Sequence, residues 1–291
     1  SLHDALPIYH TLVARWTAKT YSVTLDGNEG SPSSQTINVT YDEKYTQIAG
    51  KTAERTGYTF DGWWTLKIGG MKITEEMTVN NTTNFDGDAE EHTLYAHWQA
   101  NKYTVIFNAN GNEDVADKMP SSQTFTYDVA QSLTYLDVNV KEGYTFKGWS
   151  KTKGSTSVDE GFGNSASVIN LATGAIDDKE ITLFAIFEIN TYKIKLDGNG
   201  GVPTAEAITV TFGATYAEML TGISAKKTGY DFVGWYTSAT NGTKIDETVK
   251  VTANPYTVLY AQYKKSTYKV KIWPNGGTIT EIGRASCRER V

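Results

Sequence analysis

Cysteine is almost missing from this chain: 291 residues hold a single one, Cys287. One thiol can close no internal disulfide and cannot by itself furnish a zinc–thiolate site. Six prolines and 26 glycines exclude a proline-rich or collagen-like stalk. No apolar run approaches the roughly 18–20 residues of a membrane-spanning helix, so no membrane insertion is expected of this sequence. Nor is positive charge in surplus. A formal net charge of −6 and a pI near 5.3 argue against nucleic acid or anionic lipid as a main partner. What is abundant is aromatic: 18 tyrosines and seven tryptophans, together with much threonine, suit β-structure. The length suits two or three average domains.

Those aromatics recur in order. Gly57-Tyr58-Thr59-Phe60-Asp61-Gly62-Trp63-Trp64 returns as Gly143-Tyr144-Thr145-Phe146-Lys147-Gly148-Trp149-Ser150 and as Gly229-Tyr230-Asp231-Phe232-Val233-Gly234-Trp235-Tyr236. Each step is 86 positions, and a fixed period of that size marks an array of small domains. Tyr-Thr-Phe has the period-2 alternation of a half-buried strand. The glycine two residues after the phenylalanine breaks it and predicts a bulge. A bulge at Gly62, Gly148 and Gly234 would let Phe60 and Trp63, Phe146 and Trp149, and Phe232 and Trp235 face one core. The alternative is that these tryptophans are exposed and bind sugar; large aromatics dominate core energetics, which favours the core.

Other segments recur around the motif. His10 to Trp16 (HTLVARW) matches His92 to Trp98, Ile181 to Phe187 and Thr257 to Tyr263, and reads as a closing strand. First strands begin at Tyr21, Tyr103, Tyr192 and Tyr268, each running into an Asn/Gly turn cluster. Four-residue linkers, Thr17 to Thr20, Gln99 to Lys102, Glu188 to Thr191 and Lys264 to Thr267, join closing to first strands and are expected to be extended. Second strands read at Gln35 to Tyr41, Gln123 to Tyr127 and Ala207 to Phe212. In the third copy Tyr216, Met219 and Leu220 have the i, i+3, i+4 spacing of a short amphipathic helix. Tyr45 and Ile48, and Leu133 and Leu136, are the matching anchors in the first two. The second copy has a long return, Lys151 to Glu180, of a length that is usually functional or mobile. The expected fold is α+β and β-rich: tandem β-grasp-like repeats, each a four-stranded sheet with one short helix.

The two ends stand apart. One DNA string read on its two strands encodes both SLHDALPI at 1–8 and IGRASCR at 282–288, and it looks like a sequencing-library adapter. Residues 1–8 and 281–291 are therefore read as scar and set aside from the fold. Their removal takes away Cys287, three arginines and three acids, so the net charge stays at −6. The remaining divisions are 9–20, the end of a truncated repeat; 21–102, 103–191 and 192–267, three repeats; and 268–280, the start of another.

The combined pattern, Tyr-x-Val/Ile-x-Leu/Phe before Asn-Gly, then Gly-Tyr-x-Phe-x-Gly-Trp, then Thr-Leu-Tyr-Ala-x-Trp, resembles the internalin B-repeat, or Listeria–Bacteroides repeat. The resemblance covers nearly all the chain between the ends. It implies a secreted or wall-attached bacterial surface protein, extracellular, with a β-grasp-like fold and a role as spacer or adhesive module. A host-cell or matrix protein or a glycan is the partner it implies; a monomer is expected. It implies no catalytic residues. Phe187 and Tyr263 replace the closing tryptophan, which suggests a different core filler.

Chemistry is sparse. His92 and His97 are five apart on one strand, which alternation puts on opposite faces. Asp86, Asp88, Glu90 and Glu91 could offer oxygen to Ca²⁺ but lack EF-hand spacing, so a solvated loop is preferred. Lys–Asn isopeptide crosslinks suit a surface chain without cysteine, but no spacing singles out a pair. The residue two before each motif tryptophan is Asp61, Lys147 or Val233, and an active site would not drift so between copies. No enzyme, metal or cofactor is expected. The second reading is a glycan- or host-protein-binding module using Trp64 and Tyr236, with Ser150 at that place in the second copy.

Overall fold

A computed structural model describes residues 10–278 other than 81–82, 84–90, 173–178, 247, 270, 272 and 274. Residues 1–8 and 281–291, and the acidic run 86–90, lie outside the described residues. The chain divides into two compact units, Ser1–Glu188 and Ile189–Val291.

The first unit contains two large sheets. In the first, β1 (Thr20–Asp26), β2 (Ser34–Thr40), β3 (Tyr58–Trp64), β4 (Lys72–Ile73) and β5 (Glu91–Ala100) lie in the order β2-β1-β5-β3-β4. Strand β1 alternates as its sequence dictates, burying Tyr21, Val23 and Leu25. It pairs antiparallel with β2, Val23 opposite Ile37, and parallel with β5, Leu25 opposite Leu94. First and last strands of the repeat are thus neighbours. In the second sheet, β6 (Lys102–Asn108), β7 (Gln123–Thr126), β9 (Tyr144–Ser150) and β11 (Lys179–Ile189) take the order β7-β6-β11-β9. A small separate pair joins β8 (Gln131–Ser132) to β10 (Ser167–Val168).

The second unit repeats the plan. Strands β12 (Thr191–Asp197), β14 (Ala207–Thr211), β16 (Tyr230–Tyr236) and β17 (Val258–Lys265) take the order β14-β12-β17-β16. Strands β13 (Val202–Pro203) and β15 (Ala225–Lys226) form a two-residue ladder beside it. Three core clusters result, one per repeat, each built from the inward residues of its own sheet and the connections over it.

The bulge falls at the motif glycine. Phe60 opposes Trp98 and Gly62 opposes His97, so Asp61 is the extra residue; Phe232 opposes Tyr263 and Gly234 opposes Gln262, so Val233 is. The glycines have φ of 112°, 145° and 148° in chain order, backbone that side-chain-bearing residues rarely adopt.

Several expectations are corrected. The first sheet has five strands, because Lys72–Ile73 adds a short edge to β3, with Ile73 opposite Trp63. Among the described residues only the third repeat carries an α-helix over its sheet, α1 (Tyr216–Leu220), where the Thr215 hydroxyl accepts the Glu218 N–H at 3.4 Å. The first repeat has one 3₁₀ turn there, Thr46–Ile48, and Tyr45 at its start provides no side-chain cap. The second has neither threonine cap nor aromatic anchor at that place; Gln131 and Ser132 pair with the long return instead. Two linkers are extended, as expected, and run almost wholly as strand: one residue, Asn101 or Asn190, separates closing from first strand. Residues 10–19 form no strand, since no described strand pairs with them, and Leu12, Val13 and Trp16 are exposed.

Candidate functional site

The recurring feature is the aromatic plug. Trp63, Trp149 and Trp235 are 2%, 0% and 3% exposed. The phenylalanine of each motif lies edge to face on its tryptophan, at 5.2, 4.9 and 5.5 Å between ring centres. The indole N–H of Trp63 donates to the carbonyl of Lys51 (2.8 Å), and that of Trp235 to Ile223 (3.1 Å). Trp149 has no such acceptor among the described residues; Phe107, where the other copies have leucine, packs on it at 4.7 Å. The motif tyrosines Tyr58, Tyr144 and Tyr230 lie outside the plug. Each carries a cation from three residues earlier: Arg55 at 4.1 Å, Lys141 at 4.6 Å and Lys227 at 5.0 Å.

A second set of residues is an asparagine clamp, which reading the clusters only as turns misses. Asn28, Asn110 and Asn199 sit left-handed, at φ of 44°, 56° and 47°. The N–H of each donates to the side chain two residues back, Asp26, Asn108 or Asp197, at 2.8 Å. Each side-chain amide then donates to the carbonyl of Ala96, Ala185 or Ala261 in the closing strand (2.9, 3.2 and 3.0 Å). The same amide reaches the loop after the motif, at Lys67, Ser155 or Ala239. The Asp/Asn-x-Asn spacing, present in all three copies, was the available signal.

The closing aromatic covers this turn. Trp98 donates to the carbonyl of Asn28 (2.9 Å), and Tyr263 to that of Gly198 (2.7 Å). Their rings leave no room for a side chain below: a Cβ on Gly30 would lie 2.3 Å from Trp98, and one on Gly201 2.2 Å from Tyr263. In the second copy Asn112 stands at the glycine place, the closing ring is Phe187 without a polar atom, and Lys141 Nζ donates to Asn112 Oδ1 at 2.5 Å. An isopeptide bond from that contact would need an acid withdrawn from water. The neighbouring Asp114 side chain is 60% exposed, so the contact is a hydrogen bond.

Trp64 is half-buried and stacks flat on His97, at 4.5 Å and 7°. His97 Nε2 bonds the carbonyl of Leu66. Tyr236 is half-buried in the third repeat, whereas Ser150 is fully buried and donates to Asp159. Trp64 and Tyr236 therefore belong to separate units and share no cleft within either. His92 is buried beneath Tyr21, on the face opposite His97. No three His, Cys, Asp or Glu side chains gather as a ligand group among the described residues. Burial pushes the Tyr45 hydroxyl up to about 12, and raises Tyr103 and Tyr216.

Comparison with known proteins identifies this plan. The model of the Listeria-Bacteroides repeat domain matches residues 21–97, 103–172 and 192–262. The chain belongs to the Listeria-Bacteroides repeat family. A Gly-rich membrane protein of Evansella cellulosilytica is 33% identical over 230 residues, 78% of this chain and 25% of its own length. A second membrane protein of that organism is 28% identical over 94% of this chain and 38% of its own length. Internalin H of Listeria monocytogenes is 31% identical over 67% of this chain and 30% of its own length. The chain thus spans well under half of each relative. No helix among its described residues is long and apolar enough to cross a membrane.

Proposed function

We propose that this Listeria-Bacteroides repeat chain is a non-catalytic, extracellular array of a bacterial surface protein, serving as spacer and adhesion stalk. The carrying observation is that one aromatic plug builds three separate cores while the polar residues around it change from copy to copy. What recurs, the plug and the asparagine clamp, is bonded within the fold itself. Repeats at 21–102, 103–191 and 192–267 are part of this reading. So is a β-grasp-like fold for each, supported by the parallel pairing of first and last strands. The names of the relatives support a surface location.

The chain can be inserted between a wall anchor and a reporter domain on a bacterium. A spacer is expected to raise antibody access to a reporter that the short anchor leaves shielded. No gain in access would overturn that role. Adhesion is tested with beads coated in the chain on host cells and matrix; beads that stay unbound would remove it.

A second reading, a glycan- or host-protein-binding module, is favoured by the flat Trp64–His97 stack, which offers a half-exposed ring face. A glycan array that binds the parent chain and loses Trp64→Ala would establish it, and an array without hits would dismiss it.

A further inference from the structure

Asp128 follows the second strand of repeat 2 at a left-handed position (φ 57°), as Asp42 does in repeat 1 (φ 62°). In repeat 1 the N–H of Asp42 donates to the Val79 carbonyl at 3.0 Å, and in repeat 3 that of Gly213 donates to Val251 at 2.9 Å. Repeat 2 is built otherwise. The N–H of Asp128 donates to the side-chain Oδ1 of Asn170 (2.6 Å), and Asn170 Nδ2 donates back to Asp128 Oδ1 (2.5 Å). This ring pins the carboxylate. Its other oxygen, Oδ2, accepts from the hydroxyl of Tyr58, in the motif of repeat 1, at 2.7 Å. Asn170 belongs to the long return. It is anchored by Leu171 and Ala172, both buried in the core of repeat 2, and the Leu171 N–H donates to the Tyr103 hydroxyl at 3.3 Å.

Under this rim lies a buried centre. The N–H of Asn101 donates to Gly57, its carbonyl accepts from Tyr127, both at 2.9 Å, and its Oδ1 accepts from Thr59 at 2.6 Å. Tyr127 meets Tyr58 edge to face at 5.8 Å. Its ring lies so close over Gly57 that a Cβ there would be 2.2 Å away. A lone exposed hydrogen bond contributes little. Here the acceptor is immobilised in advance and closes over packed rings, so little ordering is left to oppose the contact.

We propose that Tyr58, Tyr127, Asp128 and Asn170 form a clasp that fixes the angle between repeats 1 and 2, and that the extended return of repeat 2 serves to supply Asn170. The donors on Asp128, Asn170 first and then Tyr58, hold its carboxyl below the usual range, as bonds to the charged form should. The clasp does not depend on what the array binds.

The test uses the full chain with Cys287→Ser and spin labels at Thr36→Cys and Thr124→Cys, exposed positions on the second strands of repeats 1 and 2. Double electron–electron resonance is expected to give one narrow distance distribution. Tyr58→Phe and Asn170→Ala should each broaden it, with tryptophan fluorescence unchanged. If Asn170→Ala unfolds repeat 2, Tyr58→Phe, which removes one rim oxygen and keeps the ring, decides alone. A broad distribution in the parent chain, or one that stays narrow in Tyr58→Phe, overturns the clasp.

Discussion

Trp63 shows how much one residue carries in a domain this small. It is buried, edge-on to Phe60, and its indole N–H has the Lys51 carbonyl as acceptor. Removing such a side chain costs about 3–5 kcal/mol, against a total stability of about 5–15 kcal/mol for a domain. Trp63→Ala should therefore bring repeat 1 to the edge of unfolding, seen as an early transition in urea followed by circular dichroism. Tyr45 gives a pH-dependent counterpart. Burial pushes its hydroxyl up to about 12 in the folded chain, above the ordinary tyrosine value of about 10, so its contribution is complete below about pH 10. That contribution is lost as pH rises through the folded value. Repeat 1 should lose stability between pH 10 and 12, and Tyr45→Phe should flatten that loss in alkaline urea titrations. A loss of equal slope in the variant would contradict this cause.

At the level of strands and turns, what could be read from sequence was whatever leaves a period. Alternation in Tyr21-Ser22-Val23-Thr24-Leu25 marks β1, and a glycine interrupting the aromatic motif marks the bulge. Tyr216, Met219 and Leu220 mark α1 by their spacing. A two-residue pairing such as Lys72–Ile73 leaves no period, and neither do β8 and β10, so these were illegible. Among the described residues repeats 1 and 2 lack a helix matching α1. Repeat 1 has no side-chain cap at the place of Thr215, and repeat 2 has neither the cap nor an aromatic anchor, differences that apolar spacing alone does not report. Of the candidate site, the plug could be read and the asparagine clamp was missed, because the Asp/Asn-x-Asn spacing that marks it reads equally as a plain turn whatever its amide holds. That amide joins a turn, a loop and β17 in repeat 3. Asn199→Gly keeps the left-handed backbone available and removes only the amide. It should destabilise repeat 3 by about 1–3 kcal/mol, the range for taking a partner from a buried group, here the Ala261 carbonyl. Thermal unfolding of the third repeat measures it, and an unchanged midpoint would show that the amide holds nothing.

Across the whole chain, the three cores govern how damage spreads. Each cluster draws its buried residues from one repeat, and the third lies wholly in the unit Ile189–Val291. Where stability is a sum of repeat terms and nearest-neighbour terms, a lesion in one core reaches others only through an interface. Repeats 1 and 2 have such an interface in the Asn101 centre and its rim. Trp235→Ala removes the largest side chain of the third core, with the Phe232 contact and the bond to Ile223. Hydrogen exchange read by mass spectrometry should then show amides of 192–265 losing protection. Those of 20–172 should keep theirs, because no residue of the third core belongs to the first unit. Protection lost equally in both stretches would mean that the chain folds as one cooperative body. An array of separate cores could not then underlie the proposed spacer role.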